Sequence, residues 1–584
     1  MLGKRVAGVE PPGADHPYLD FVGRESFYGF LAARRDHLFR DEDFVALYCP
    51  DNGRPSVPPS LLATALLLQT YDGVSDEEAK ARADFDLRWK VALGVGLDAR
   101  PFAKSTLQLF RAQLIEHEQV RAIFRRSLAF AREVGYLRGR QVTAALDTSY
   151  ILGRGAVKDT YNLLADGIVQ LLRALAARDG EAPEEWAVAH ELGRYWGTSL
   201  KGAAGIDWDD AAARRAFLQT VVADADRLLG LARGVLAGPV TDDPAHDDLQ
   251  AAADLLAQVL NQDIERRDDG ATPGEGVSPD RVVAVHDPEM RHGRKSAAKR
   301  FDGHKGAIAV DTTSQLILAA AVLPGNAQDH EEALALVKQA EENAGIVAAT
   351  TVADCAYGDG ETRQAFAAAG RALVAKVPQR RGQAHFPKDD FLIDLDAMTC
   401  TCPAGQECRT VAAIGSGRRY GTPGVALRGF RFDAATCDAC PLRPSCVRAR
   451  PGRGRLVMLH PREALLQAAR AFQRGPAFAP YRRLRQVAEH RLARLMQLGV
   501  RQARYIGRTK TLFQPLLAAT VANLTLVATA AGLMRGRRRR PATADALAWT
   551  TRAVLLVICH LLVAHKPPAR RHSHRLSMGF RPRF

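Results

Sequence analysis

The sequence predicts an α/β protein built on a mixed sheet, with an amino-terminal all-helical domain before it and a helical insert and a cysteine-rich insert within it. Three observations predict this. The apolar spacing changes from helical to alternating at Gln141, strand and helix patterns take turns between Gly303 and Pro378, and six cysteines crowd between Cys400 and Cys446. At 584 residues, 47% of them hydrophobic and 25% charged, the chain lies far from the disordered and the membrane-spanning extremes.

From about Glu25 to Gly135 the pattern is helical with short loops. Ser75-Asp76-Glu77-Glu78 forms a capping box ahead of an amphipathic run, and Ser105-Thr106 signals another helix start, leading into LQLFRAQLIEHEQVRAIF. Gln108, Arg111 and Gln113 on that helix are side chains able to meet phosphates or base edges; a plain helical scaffold is the other reading.

QVTAALDTS is short, alternating and β-branched at its start, and it places Asp147 near its end. A mostly helical segment runs from about Lys158 to Arg267, and RDDGATPGEGVSPD then reads as a linker. GHKGAIAVDTTSQ and LILAAAVLPGN have the spacing of a hairpin. DHEEALALVKQAEENAG is a helix, and ATTVADCAYG is a strand with Asp354 at its carboxyl end. ETRQAFAAAG and RALVAKVP give a further helix and strand. In sheets of this kind ligands gather at the carboxyl ends of strands. After Pro378 a loop-rich, cysteine-bearing stretch lasts to about Arg455, and helices return with YRRLRQVAEHRLARLMQLGV.

The net charge of +15, carried mostly by arginine, points to a polyanionic partner, although charge alone does not separate a DNA enzyme from a basic ribosome-associated protein. No secretory signal opens the chain, so a cytoplasmic location is expected. Two apolar stretches, Pro515 to Met534 and Ala546 to Ala564, approach membrane-spanning length. Asn523 and several threonines interrupt the first and Arg552 and His560 the second, which favours buried helices and no membrane. From Arg535 the tail is basic at both ends.

The cysteines read as Cys400-x-Cys402-x5-Cys408 and Cys437-x2-Cys440-x5-Cys446. Closely spaced thiolates in a reducing compartment suggest a structural Zn²⁺ site, with six candidates for four places. Iron–sulfur ligation and simple reduced cysteines are the alternatives. Cys355, Cys49 and Cys559 read as ordinary packing residues.

Two strand-end aspartates, Asp147 and Asp354, with Glu489 on a later helix, are able to converge at one point of the sheet edge. Such a carboxylate set suits a pair of Mg²⁺ ions, because hard cations take oxygen ligands and two of them serve phosphodiester transfer. Taken singly, Asp147 reads as a turn cap, Asp354 as the opening of a loop, and Glu489 as a partner of Arg485 or Arg482.

The wording around the acids resembles the DDE transposases of bacterial insertion sequences over most of the chain. ALDTS is similar to the first-aspartate strand and VADCAYGDGET to the second-aspartate segment. Tyr481, Arg485, Glu489 and the run GVRQARYIGRTKTLFQPLLAATVANL resemble the Tyr-Arg-Glu-Lys signature helix and the segment after it. Arg482 occupies the usual tyrosine place and Met496 the usual lysine place, with Arg494 and Arg501 nearby. The stretch DPEMRHGRKSAAKRFDGHKGAIAVD resembles the family's basic run, and gathers Arg291, Arg294, Lys295, Lys299, Arg300 and Lys305 as expected DNA contacts, with Tyr481, Arg485, Arg494 and Arg111.

The resemblance implies an RNase H-like core, two Mg²⁺ ions that Mn²⁺ is able to replace, and cleavage and strand transfer at terminal inverted repeats. It also implies double-stranded DNA as partner, both element ends and target, a homodimer or higher synaptic assembly, and association with the bacterial nucleoid. The expected organisation is an arm over 1–24, a helical DNA-binding domain over 25–138, core segments over 139–157 and 281–378, a helical insert and linker over 158–280, and a cysteine-rich insert over 379–455. Helices carrying Glu489 over 456–534 complete the core, and a basic tail covers 535–584. A transposase-derived binding protein that no longer cuts, and a metal-dependent nuclease without strand transfer, are the competing readings.

Overall fold

The computed structural model describes residues 1–5, 17–50, 52–197, 199–238, 243–268, 270–274, 278–296, 298–378, 385–416 and 426–534. The stretch Ala546 to Ala564, Cys559 and the expected basic tail lie outside the described residues.

Helices open the fold, among them Phe27–Leu38, Pro59–Asp72, Asp76–Phe85, Lys104–Glu116 and Val120–Glu133. Ser75 caps its helix, its hydroxyl accepting from the Glu78 N–H at 3.1 Å, while the Glu78 side chain, the other half of the expected box, pairs with Arg82. The next start differs: the helix begins at Lys104, with no side-chain cap at Ala103. The run read as one helix breaks near Glu118, which adopts φ +53°. These helices do not close a core of their own. One apolar cluster runs continuously from Phe27, Leu66 and Phe110 through Leu146 and Ile308 of the sheet to Leu517 and Val521 near the carboxyl end.

The main sheet has six strands: β1 (Gln141–Leu152), β2 (Arg291–Arg294), β3 (Arg300–Asp311), β4 (Ile317–Pro324), β5 (Val347–Val352) and β6 (Ala372–Val374). Their order is β2-β3-β1-β5-β6, with β4 also on β3. β1 is antiparallel to β3 and parallel to β5, which is parallel to β6. Helix Arg508–Ala530 is long and apolar enough to cross a membrane, yet most of it is buried against helix Val120–Glu133 and β4. Asn523, one of its buried polar residues, clamps the backbone of Ile317 through both amide atoms, at 2.9 and 2.8 Å. A buried amide of this kind satisfies strand groups that would otherwise be orphaned.

Between β1 and β2, helices Thr160–Asp179, Ala211–Leu236 and Pro244–Asp263 build a second, separate core. The stretch read as a linker is partly structured: Ile264–Arg267 pairs antiparallel with Gly270–Pro273. Gly270 at φ +119° permits the turn, and Arg266 holds Asp226 through two contacts of 2.7 Å. Beyond β6, two small three-stranded sheets enclose a third core around Phe391, Phe430 and Val457.

Candidate active site

The parallel register decides where the two aspartates stand. Ala145 on β1 lies opposite Val352 on β5, and Asp147 and Asp354 each come two residues later, so both emerge at one level of the sheet edge. Asp147 is still held in β1, opposite Ile308 of β3. Asp354 has left its strand and caps the turn Cys355–Tyr357, accepting from the Ala356 N–H at 2.8 Å. The third acid arrives on helix Gln486–Leu495, which packs across β1 and β3 through its buried Ala488 and Leu492. That packing leaves Glu489 on the solvent side, where Arg485, one turn earlier, pairs with it at 2.6 Å.

Asp147, Asp354, Glu489 and Arg485 line one open cleft of about 460 Å³. A larger groove of about 1020 Å³ shares Asp354 and Arg485 with it and continues past Lys376, Tyr481, Arg482 and Arg483. Burial, then the neighbouring Asp354 and Glu489, push the Asp147 carboxyl up to about 6, against the pull of the Thr148 N–H and Arg485. Burial also raises Asp354, with Asp329 and Glu489 adding to it. Mutual repulsion among oxygen donors is the condition a hard divalent cation relieves, so the donor set fits Mg²⁺ in its chemistry. Among the described residues, however, no three His, Cys, Asp or Glu side chains already stand together as a metal cluster.

Two family models match the chain: a Transposase domain (DUF772) over residues 17–113 and a Transposase DDE domain over residues 401–528. Both matches are to transposase domains, and together they support a DDE-type transposase of an insertion sequence. Glu489 falls inside the second match, while Asp147 and Asp354 lie between the two. No curated protein and no solved structure matches the chain.

The basic residues divide by where they point. Arg294, Lys295 and Lys305 line the cleft with the acids, and Arg300 is exposed beside them. Lys295, Lys299 and Arg501 stand over the Tyr150 ring at 5.7, 5.2 and 3.9 Å. Arg291 turns inward instead, donating to the carbonyls of Pro288 and Met290. Arg494 donates to Gln497 at 3.3 Å, and Tyr481 leans on Phe472 at the wall of the larger groove.

Arg111 is also turned inward, although the sequence presents it as a phosphate contact. It is buried, pairs with Asp76 at 2.6 Å and donates to Gln69 at 3.1 Å. Burial pushes Asp76 up, but the hydrogen bonds from Arg111, Gln69 and Gln108 hold its carboxyl well below the usual range. The charge of Arg111 is therefore spent inside the protein. Of the six cysteines, Cys402, Cys437, Cys440 and Cys446 line one small cavity, while Cys400 and Cys408 are buried in the core of their insert.

Sequence reasoning missed Asp329 and Tyr150, and gave Arg501 only as a positive charge near the signature helix. Asp329 lines the cleft as a fourth acid and accepts from Lys305 at 2.8 Å. The string QDHEEAL carries it, but there the helix signal masks the residue's other use. Arg501 donates to the Ser149 hydroxyl and the Tyr150 carbonyl, at 3.2 and 2.8 Å. Gly499, at φ +89°, makes the bend that brings Arg501 back to β1.

Proposed function

We propose that this transposase cuts and rejoins DNA at the terminal inverted repeats of its element, with Asp147, Asp354 and Glu489 as ligands of two Mg²⁺ ions. The observation that carries the reading is the common level of the two strand-end aspartates beneath Glu489 in one basic cleft. The sheet order supports an RNase H-like core: an antiparallel β1-β3-β4 succession with β5 and β6 added parallel on the other side.

Bound divalent ions would activate the attacking hydroxyl and neutralise charge on the leaving oxygen. The chain's own residues supply the frame for that chemistry. β1 fixes Asp147, and the Cys355–Tyr357 turn fixes Asp354. Glu489, now paired with Arg485, would be the third residue to hold the ions, and the Arg485 guanidinium would then be able to hold a phosphate. Lys295, Lys305 and Arg294 grip the backbone of the strand, giving affinity without sequence preference. Two element ends have to meet, which calls for a dimer or larger assembly.

The competing reading, a protein that binds ends without cutting them, is favoured by the closed Arg485–Glu489 pair. Incubation of the full chain with end-containing duplexes and Mg²⁺ or Mn²⁺ separates the two. Metal-dependent nicking followed by joined products supports the proposal. Binding without cutting at any end sequence overturns it, and cutting without joining reduces it to a nuclease.

A further inference from the structure

The cysteine-rich insert holds a second chemistry, unconnected with the carboxylates. Cys402 sits at a tight turn between strands Thr399–Thr401 and Glu407–Cys408, its N–H donating to the Gln406 carbonyl at 2.9 Å and its carbonyl accepting from Gly405 at 2.9 Å. Cys437 lies in the short helix Ala434–Asp438, and the Cys440 N–H returns to the Cys437 carbonyl at 3.2 Å. The next turn brings Cys446 back, its N–H on the Arg443 carbonyl at 2.9 Å. These four half-buried cysteines, from segments about 35 residues apart, face a single cavity of about 30 Å³ walled by Phe386 and Phe432. The Arg455 backbone N–H already donates to the Cys437 sulfur at 3.4 Å.

The remaining two cysteines behave differently. Cys400 and Cys408 face each other across adjacent strands and are buried among Phe391, Phe430 and Val457. The Cys408 thiol donates to the Arg431 carbonyl at 3.2 Å, and neither sulfur lines the cavity. Both are packing residues of the insert's core. Among the described residues, only seven side chains make up the buried part of this core, too few to hold an insert of such length unaided.

We infer that Cys402, Cys437, Cys440 and Cys446 form a tetrathiolate site for one structural Zn²⁺, with Cys400 and Cys408 outside it. Loading exchanges four S–H protons for one dication and leaves a net charge of −2, which Arg443 and Arg455 at the cavity wall offset. The thiols are not yet gathered as a cluster, so loading also draws the turn over Cys437–Cys446 in toward Cys402. The site would fix the base of helix Glu463–Arg474, which docks on the insert through the Arg470–Asp389 pair at 2.9 Å and the Gln467 bond to the Ile393 carbonyl at 3.0 Å. That helix leads directly into the segment carrying Tyr481 and Glu489.

The test is the metal content of the purified, reduced full chain, by elemental analysis after dialysis. One zinc per chain is expected, falling to near zero in Cys402→Ser, Cys437→Ser, Cys440→Ser and Cys446→Ser, and retained in Cys400→Ala and Cys408→Ala. Where a serine variant does not fold, Co²⁺ added to apo wild-type protein gives the intense visible bands and sulfur-to-cobalt charge transfer of a tetrahedral thiolate site. Wild-type protein that neither carries zinc nor takes up Co²⁺, that carries iron and sulfide instead, or that loses zinc equally in the Cys400 and Cys408 variants, overturns the inference. None of these readouts depends on DNA cleavage, so the site stands or falls apart from the proposed reaction.

Discussion

The carboxylate cleft and the cysteine cavity each gather ionisable ligand types from distant parts of the chain, but they are built in opposite ways. The cleft is wide and open, and its acids are partly answered by the protein's own cations, Arg485 on Glu489 and Lys305 on Asp329. The cavity is small and apolar-walled, and its sulfurs face a backbone donor and the cavity-wall arginines. An open site with exchangeable partners suits ions and phosphates that come and go during a reaction. A closed one suits an ion that stays. Side chains that look alike as ligands in sequence are thus assigned to turnover or to architecture by what surrounds them.

That contrast breaks most visibly through activity. Asp147→Asn, Asp354→Asn and Glu489→Gln each remove a ligand charge with almost no change in volume. DNA cleavage should fall by about a thousandfold or more, equivalent to ~4 kcal/mol of transition-state stabilisation, while DNA binding persists. Retained metal-dependent cutting in any one variant rejects that residue. Cys440→Ser should do the reverse, speeding proteolysis within 379–455 by roughly tenfold through local opening while the rest of the chain resists. Proteolysis within 379–455 no faster in the variant than in the wild-type chain would remove the architectural half of the comparison.

A third ionic site, closed by the protein itself, calibrates the other two. Arg111→Met strands the Asp76 carboxylate and should cost about 3 kcal/mol in urea unfolding, with no specific loss of DNA affinity. A purely DNA-binding defect would return Arg111 to the surface role that its sequence context suggests. Lys305→Ala should weaken DNA binding by roughly tenfold and lower the salt dependence by about one counterion. An unchanged salt slope means that Lys305 serves only Asp329.

The smallest effect concerns pH. The Asp147 carboxyl is raised to about 6 in the folded protein, so in the absence of metal the neutral form is favoured there and folding gains as pH drops from above 6 toward the ordinary carboxylate range. Mg²⁺ has to displace that proton, so its affinity should rise several-fold between about pH 5.5 and 7.5 and level off above. A flat profile, read by calorimetric titration, would mean that Asp147 is not a ligand.

Most elements of the sheet are legible in the sequence because β1, β3 to β6 and the helices between them keep their own period, while β2 lies inside the basic run and gives no strand signal; ATTVADCAYG brings Asp354 to the end of β5, two residues past its last strand residue. What brings Asp147 level with Asp354 is the parallel pairing of β1 with β5, a long-range contact that no local spacing encodes. Arg111 reads as an exposed contact because its helix is amphipathic, yet its partner Asp76 lies on another helix. The hairpin at Gly270 reads as a linker because its glycine, proline and aspartate content outweighs two four-residue strands. The division of six cysteines into four and two is invisible in their spacing, since Cys400 and Cys402 are separated by one residue and part company only where the strand holding Cys400 ends and Cys402 enters the turn.

The central claim is that Asp147, Asp354 and Glu489 share bound metal, and Mn²⁺ binding measured by electron paramagnetic resonance tests it without DNA or turnover. Wild-type protein should bind Mn²⁺ in competition with Mg²⁺, and Asp147→Asn, Asp354→Asn and Glu489→Gln should each weaken that binding strongly. Binding unchanged across all three variants would contradict it.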